Sequence, residues 1–249
     1  AADSFITVNA HQVRRGKALN FSALGHKKDV NQELLDFYFI KESNSEKIVE
    51  KILLMSTERI PQRFELDPMM DIQVLTPMHR GVTGSINLNR KLQERMNPDA
   101  KGLEHREQWF RIGDKVMQQQ NDYEKQVFNG DLGRIVNCDS KTKELHVKFE
   151  HGIVQYQSKE LDQLSLAYAI TVHKSQGSEY SAVIIPMTTH HYMMLQRNLL
   201  YTAITRGKQL VVLIGTEVAI SKAVENECSM QRFTGLQHQL SELGLTTLY

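Results

Sequence analysis

The chain reads as an α/β protein: a parallel sheet with helices on both faces, interrupted by a small inserted β-barrel. Three observations carry this reading. SAVII over Ser181–Ile185 and LVVLIG over Leu210–Gly215 are continuous apolar runs, the texture of strands buried on both faces. Runs of strand type alternate with segments of helical period along much of the chain. From Ile112 to about Leu164 the helical period gives way to short alternating runs separated by turn signals. The expected division is therefore 1–109 with 165–249 as one discontinuous domain, and 110–164 as an inserted barrel that folds on itself.

Composition sets the bounds. A chain of 249 residues, 41% hydrophobic and 24% charged, can bury a sizeable core in one large or two unequal domains. Its formal net charge of +1 excludes a globally basic nucleic-acid glove, so any such contact must be local. Its two cysteines, Cys138 and Cys228, form no CxxC pattern and have no histidine at metal-ligand spacing, which points to a reducing, cytoplasmic setting. No apolar run approaches the roughly 18 residues of a membrane span, so no membrane partner is expected. The chain opens at AADSF, without Met, and is expected to be a piece of something longer.

Taken in order, Asp3 or Ser4 is placed to cap a helix with Ile6, Asn9, Ala10 and Val13 on one face and a stop at Gly16. Residues 17–33 are polar and aperiodic, a loop or partly ordered insertion. DFYFI, Asp36–Ile40, is of strand type. Ser43 and Glu46 form an S-x-x-E capping box for a helix carrying Ile48, Val49, Ile52 and Met55, bounded by Pro61. DIQVLTP, Asp71–Pro77, is a buried strand running into the polar loop MHRGVTGS. A helix with Leu88, Leu92 and Met96 follows and stops at Asn97 and Pro98. KVMQQ, GRIVNC, ELHVKFE and GIVQYQ, separated by NG-D, DSKTK and HG turns, supply the barrel strands. LSLAYAI is expected to resume the parallel sheet. TEVAISKAVEN and Phe233–Leu243 are expected as closing helices.

Between LSLAYAI and SAVII lies TVHKSQGSE, Thr171 to Glu179, a polar segment with no apolar face of its own. Placed after a strand, such a segment presents ligand-binding groups at the carboxyl edge of an open sheet. Further on, YTAITRGK, Tyr201–Lys208, leads into LVVLIG. These stretches resemble motifs V and VI of superfamily-one helicases, most closely the RecD/TraA-like branch, the exodeoxyribonuclease V alpha-subunit family. GDKVM…VFNGDLG resembles the SH3-like barrel inserted in the second motor domain of RecD-like helicases, and the first helix matches an NAH-x-x-x-x-G pattern without the motif IV arginine that precedes it in the family. The resemblance implies a RecA-like parallel sheet with an SH3-like insert, belonging to an ATP-dependent helicase that translocates on single-stranded DNA.

By that resemblance Arg206 reaches the γ-phosphate across a cleft between two motor domains, where a planar guanidinium offsets charge developing in phosphoryl transfer. Read alone, Arg206 is also an arginine favoured by a helix dipole. Gly177 and Glu179 fall on the nucleotide side, or form a turn glycine with a solvated carboxylate. Thr171, His173, Lys174 and Ser175 suit phosphate oxygens, and the resemblance sets them on single-stranded DNA. Thr171 also reads as a cap and His173 as a core histidine. Thr76, Pro77, His79 and Arg80 end a strand on the ligand edge, where Thr76, Pro77 and Arg80 are expected on DNA, with loop bracing as the alternative. In the barrel, Tyr123, Phe128, Asn129, Asp131 and Tyr156 are candidates for contact with bases or for the barrel's own core.

No G-x-x-x-x-G-K-[ST] occurs, since Gly16-Lys17 and Gly207-Lys208 lack both the upstream glycine and the following hydroxyl residue. No acidic motif follows a strand to hold Mg²⁺, and no metal site is expected. The resemblance implies that ATP and Mg²⁺ are bound mainly by an N-terminal motor domain, so the isolated chain is expected to be inactive. That domain, single-stranded DNA, ATP and other subunits of a recombination or repair complex are the expected partners. A related RNA helicase and a non-catalytic nucleic-acid or protein-docking module are the other readings. A phosphate-cradling motif encoded upstream of Ala1 would separate motor from module.

Overall fold

The computed structural model describes residues 4–21 and 35–227. Cys228, most of the expected 17–33 loop and the helix expected over Phe233–Leu243 lie outside them. Ser4 caps α1 (Phe5–Arg14), whose buried residues are Ile6, Asn9, Ala10 and Val13, the face read from the sequence. Strand β1 (Phe37–Lys41) leads into α2 (Ser45–Leu54). The expected Ser43–Glu46 box is not what caps α2. The helix starts too late for Ser43, so Asn44 Oδ1 accepts from Lys47 N at 3.0 Å, and Glu42 accepts from the amides of Ser43 and Asn44. The Lys51 ammonium and those amides hold the Glu42 carboxyl down at about 2. After one π turn the helical run continues through Pro61 into α3 (Ile60–Phe64), so Pro61 does not bound the helix as expected.

Strand β2 (Ile72–Thr76) and α4 (Ser85–Met96) follow as expected. Next comes a hairpin absent from the sequence reading, β3 (Gly102–His105) paired with β4 (Gln108–Arg111). Its turn residues Arg106 and Glu107 have φ of 48° and 67°, left-handed without glycine, at a cost of roughly 1–2 kcal/mol per residue. Asp162 holds that turn in place, 2.7 Å from Arg106 and 2.8 Å from His105.

Strands β5 (Lys115–Gln118), β6 (Leu132–Asp139), β7 (Glu144–Phe149), β8 (Gly152–Tyr156) and β9 (Leu164–Leu166) form an antiparallel sheet in the order β8-β7-β6-β5-β9. LSLAYAI is therefore divided. Leu164–Leu166 pairs with β5, and only β10 (Ala169–Thr171) joins the parallel sheet beside β2. The break falls at Ala167–Tyr168, where buried Gln73 donates to both carbonyls at 3.0 Å and so lets the chain change sheets.

Strand β11 (Tyr180–Met187), α5 (Arg197–Ile204), β12 (Gly207–Gly215) and α6 (Glu217–Glu225) complete the described fold. The main sheet is wholly parallel, in the order β1-β12-β11-β2-β10. Alternation along its strands fills both faces. Ala182, Ile184, Leu210 and Val212 pack with α2 and α4, while Val183, Ile185, Val211 and Leu213 pack with α1, α5 and α6. The α4 face runs on without a gap through Leu92, Phe110, Val116 and Tyr168 into the core of the antiparallel sheet. The inserted strands thus share a core with the parallel sheet and do not enclose a separate one.

Asp114 stands at this join, fully buried. Its carboxylate accepts from Gln93 Nε2 at 2.5 Å, Arg111 N and Asn97 Nδ2 at 2.7 Å, and the Tyr168 hydroxyl at 2.8 Å. Burial, then the neighbouring Asp114 charge, pushes the Tyr168 hydroxyl above the ordinary tyrosine range.

Candidate nucleic-acid and nucleotide site

Thr171 ends β10, level with Thr76 at the end of β2. Strand β10 is the sheet's edge, and Asn89 of α4 covers it by pairing both N and O of Ala169 at 2.8 Å. Of the residues expected on a nucleic-acid strand, three point inward. Thr76 is buried and donates to Thr83 O at 2.7 Å, which folds the 77–84 loop back on itself. Pro77 is buried and lines a small apolar pocket with Val172 and Ile185, and Ser175 is buried with its hydroxyl on Val172 O at 2.7 Å. They shape the surface without offering polar groups to a ligand. His79, Arg80, His173 and Lys174 are exposed, so His173 is not a core histidine. Thr171 opens a one-turn 3₁₀ helix, Val172–Ser175, without making a side-chain cap bond.

The Lys174 ammonium donates to Gln119 Oε1 just beyond β5, and Gln119 Nε2 in turn donates to Ser165 Oγ at 2.5 Å. Partial burial there lowers the lysine pKa below its usual value. This tie fastens the 3₁₀ turn to the inserted sheet.

Past Ser175 the chain turns at Gly177, whose φ of 87° with open space around the Cβ position calls for glycine on conformational grounds alone. It then runs back across the sheet, because a following parallel strand must begin at the opposite edge. Tyr180 at the start of β11 is level with Gly207 at the start of β12. The carboxyl-edge expectation therefore fits Thr171–Lys174 but not Glu179 and Arg206, which lie at the amino ends of β11 and β12. Arg206 is half-buried, with Nη1 on Ser178 O at 3.0 Å, Nε on Thr202 O at 3.3 Å and Nη2 on Thr205 Oγ1 at 3.4 Å. Its carbonyl accepts from Tyr180 N at 2.8 Å, so arginine and turn are joined twice. Glu179 meets Lys208 at 3.1 Å on the surface.

Beside β10 lies a cleft of about 610 Å³ between α4, the β3–β4 hairpin and β9, reaching Thr171 and Lys174. Of the barrel candidates, Tyr156 is fully buried with its hydroxyl on Gln118 Oε1 at 2.9 Å, a core residue. Tyr123 and Phe128 are exposed and packed edge to face, 6.0 Å between centroids. Asp131 accepts from Phe128 N at 2.8 Å and Asn129 N donates to Asn121 at 2.9 Å, which builds the turn beneath them. Sequence reasoning missed Asn89, Gln119 and Ser178, because nothing in the local pattern shows a partner that only the fold brings near. Among the described residues no group of three or more His, Cys, Asp or Glu is placed to hold a metal. No helix among them is long and apolar enough to cross a membrane.

A parallel sheet carrying an antiparallel insert is the fold that the resemblance of the motifs to RecD-like helicases implies. Residues 88–149 match the ATP-dependent RecD-like DNA helicase SH3 domain, and residues 166–214 match the UvrD-like helicase C-terminal domain. In sequence the chain is similar to a C-terminal segment of the RecD-like superfamily-one helicases. It is 40% identical over 148 residues to the ATP-dependent RecD2 DNA helicase of Deinococcus radiodurans, covering 59% of this chain and 20% of that protein. It is 30% identical over 176 residues to the RecBCD enzyme subunit RecD of Mycobacterium tuberculosis, covering 70% of this chain and 30% of the relative. The chain thus spans a third or less of these relatives. In fold it is similar to a solved structure of two coordinating Pif1 helicases unwinding forked double-stranded DNA, with a TM-score of 0.51, 15% identity, and coverage of 97% of this chain and 52% of the other.

Proposed function

We propose that this chain is the second motor domain of an ATP-dependent DNA helicase that translocates on single-stranded DNA and unwinds duplex. The observation that carries the reading is the bond from Arg206 to Ser178 O. A guanidinium suited to a γ-phosphate is held by the same turn whose other end exposes His173 and Lys174, with Thr171 half-buried beside them. Arg206 now bonds neutral carbonyls and a hydroxyl, and a phosphate oxygen is the stronger, charge-assisted acceptor. When Arg206 turns to it, Ser178 O is released and the segment pivots at Gly177, shifting Lys174 against the strand. Nucleotide occupancy and grip on DNA are thereby linked through nine residues.

Arg206, Gly177 and Glu179 fit one wall of a nucleotide site and include no phosphate cradle. ATP with Mg²⁺, which supplies the phosphoryl-transfer chemistry when bound, is assigned mainly to an N-terminal motor domain of the parent protein. Docking to further subunits, in keeping with the names of the RecBCD-subunit relatives, and a cytoplasmic setting belong to the same proposal. The test is phosphate release by the full-length parent with and without single-stranded DNA, alongside unwinding of a forked duplex. DNA-stimulated turnover with unwinding by the parent, and none by this chain alone, is the expected result. Comparable turnover by this chain alone, or a parent that DNA does not stimulate, would overturn it.

A further inference from the structure

The cleft beside β10 holds residues that the helicase motifs do not account for. Trp109 lies on its wall and is 46% exposed, while the next residue along β4, Phe110, is buried in the shared core. A large aromatic face is thus left partly open on the side of β4 opposite Phe110. Gln108, also on β4, lines the cleft with a buried Nε2 that has no hydrogen-bond partner, an unmet donor. Arg90 of α4 and Lys174 add cations to the walls, and Thr171 belongs to the same lining. The outer lip is the hairpin turn with two left-handed residues, fixed on Asp162 by Arg106 and His105. Strain of this kind persists only where surrounding contacts enforce it.

We propose that this cleft is a base-stacking subsite for single-stranded nucleic acid, with Trp109 as the platform, Gln108 as donor to a base edge, and Arg90 and Lys174 as phosphate contacts. The inference rests on the strand path set out under the proposed function. It extends that path from Thr171 and Lys174 along one continuous wall to Trp109. Every base has a π-face, so the stacking tolerates any sequence, as a translocating motor requires. The cleft volume of about 610 Å³ falls within the roughly 300–1,000 Å³ span of small-ligand pockets, enough for an unstacked nucleotide and too confined for a duplex.

Trp109 is the chain's only tryptophan, so its fluorescence reports on the subsite directly. This chain would be titrated at low salt with oligothymidylate and with an abasic oligomer of equal length, following tryptophan emission and, separately, anisotropy of a labelled strand. Quenching by oligothymidylate and not by the abasic oligomer is expected. Trp109→Ala should weaken oligothymidylate binding by roughly five- to a hundredfold, the span for one stacked base, and leave abasic binding unchanged. Trp109→Phe should restore most of the loss. Lys174-dependent binding with unquenched Trp109 and an unaffected Trp109→Ala variant overturns the subsite and leaves the strand path standing. No Lys174-dependent binding at all overturns both. The quenching arm needs no substitution, so misfolding of a variant cannot mask the answer.

Discussion

Lys115 lies buried where the two sheets meet, its Nζ 3.5 Å from Ile72 O and 5.8 Å from the centroid of the Tyr180 ring. Burial pulls its pKa from 10.5 down to about 8, against the opposing charges of Asp67 and Asp71. Between these values the unfolded chain binds more protons than the folded one, so this group's contribution to stability rises with pH through that window. Below pH 8 the folded state bears the full cost of a buried ammonium. Lys115→Met should therefore raise unfolding free energy at pH 7 by about 1–3 kcal/mol, part of the gain being offset by the orphaned Ile72 carbonyl. It should also flatten the rise in stability above pH 8. Urea denaturation at several pH values checks both, and an unchanged pH slope would contradict the assignment. Asp114→Ala should act oppositely, lowering stability by about 3 kcal/mol, because Gln93, Asn97 and Tyr168 lose a shared acceptor. Neither residue was legible in the sequence. A lysine or aspartate beside a short alternating run reads as solvent-facing, and only the pairing of β5 with both β6 and β9 buries it.

Among the elements, α1, α4, β11 and β12 were readable because apolar period and burial coincide in each. The division of LSLAYAI was not, since seven residues of strand type carry no mark of a change of sheet until Gln73 is seen bonding the break. Nor was the β3–β4 hairpin, whose turn lacks the glycine or asparagine that signals one. The site was legible as a segment but not as a geometry. TVHKSQGSE identified the place, while burial decided that Thr76, Pro77 and Ser175 brace it and that His173 and Lys174 face outward. The 3₁₀ turn yields a direct prediction. Lys174→Ala removes one phosphate contact, so in the full-length parent affinity should fall alike for all sequences, and the slope of log K against log salt should shrink by ~0.7. Filter binding or anisotropy at graded salt checks it, and an unchanged slope would place Lys174 away from the strand.

In the whole molecule the shared core and the Asp114 hub join the inserted strands to the motor sheet. We propose that the insert runs over Lys115–Leu166, set by strand pairing, in place of the 110–164 read from texture. Its excision uncovers Leu92, Phe110 and Tyr168, so the shortened chain should lose near-UV signal and bind hydrophobic dyes, whereas the intact chain should unfold in one transition. A shortened chain that still melts cooperatively would show two separable cores. On the proposed function the same unity matters, because Lys174 is tied through Gln119 to the insert, and the segment that carries it is tied through Ser178 to Arg206. The most direct measurement is single-turnover ATP hydrolysis by the full-length parent carrying Arg206→Ala, at saturating nucleotide and single-stranded DNA. Loss of ~10³-fold or more in kcat, with nucleotide and DNA dissociation constants changed only several-fold, is the expected result for an arginine that acts on the transition state. A near-normal kcat would contradict it and leave Arg206 a residue that only ties a turn to a helix.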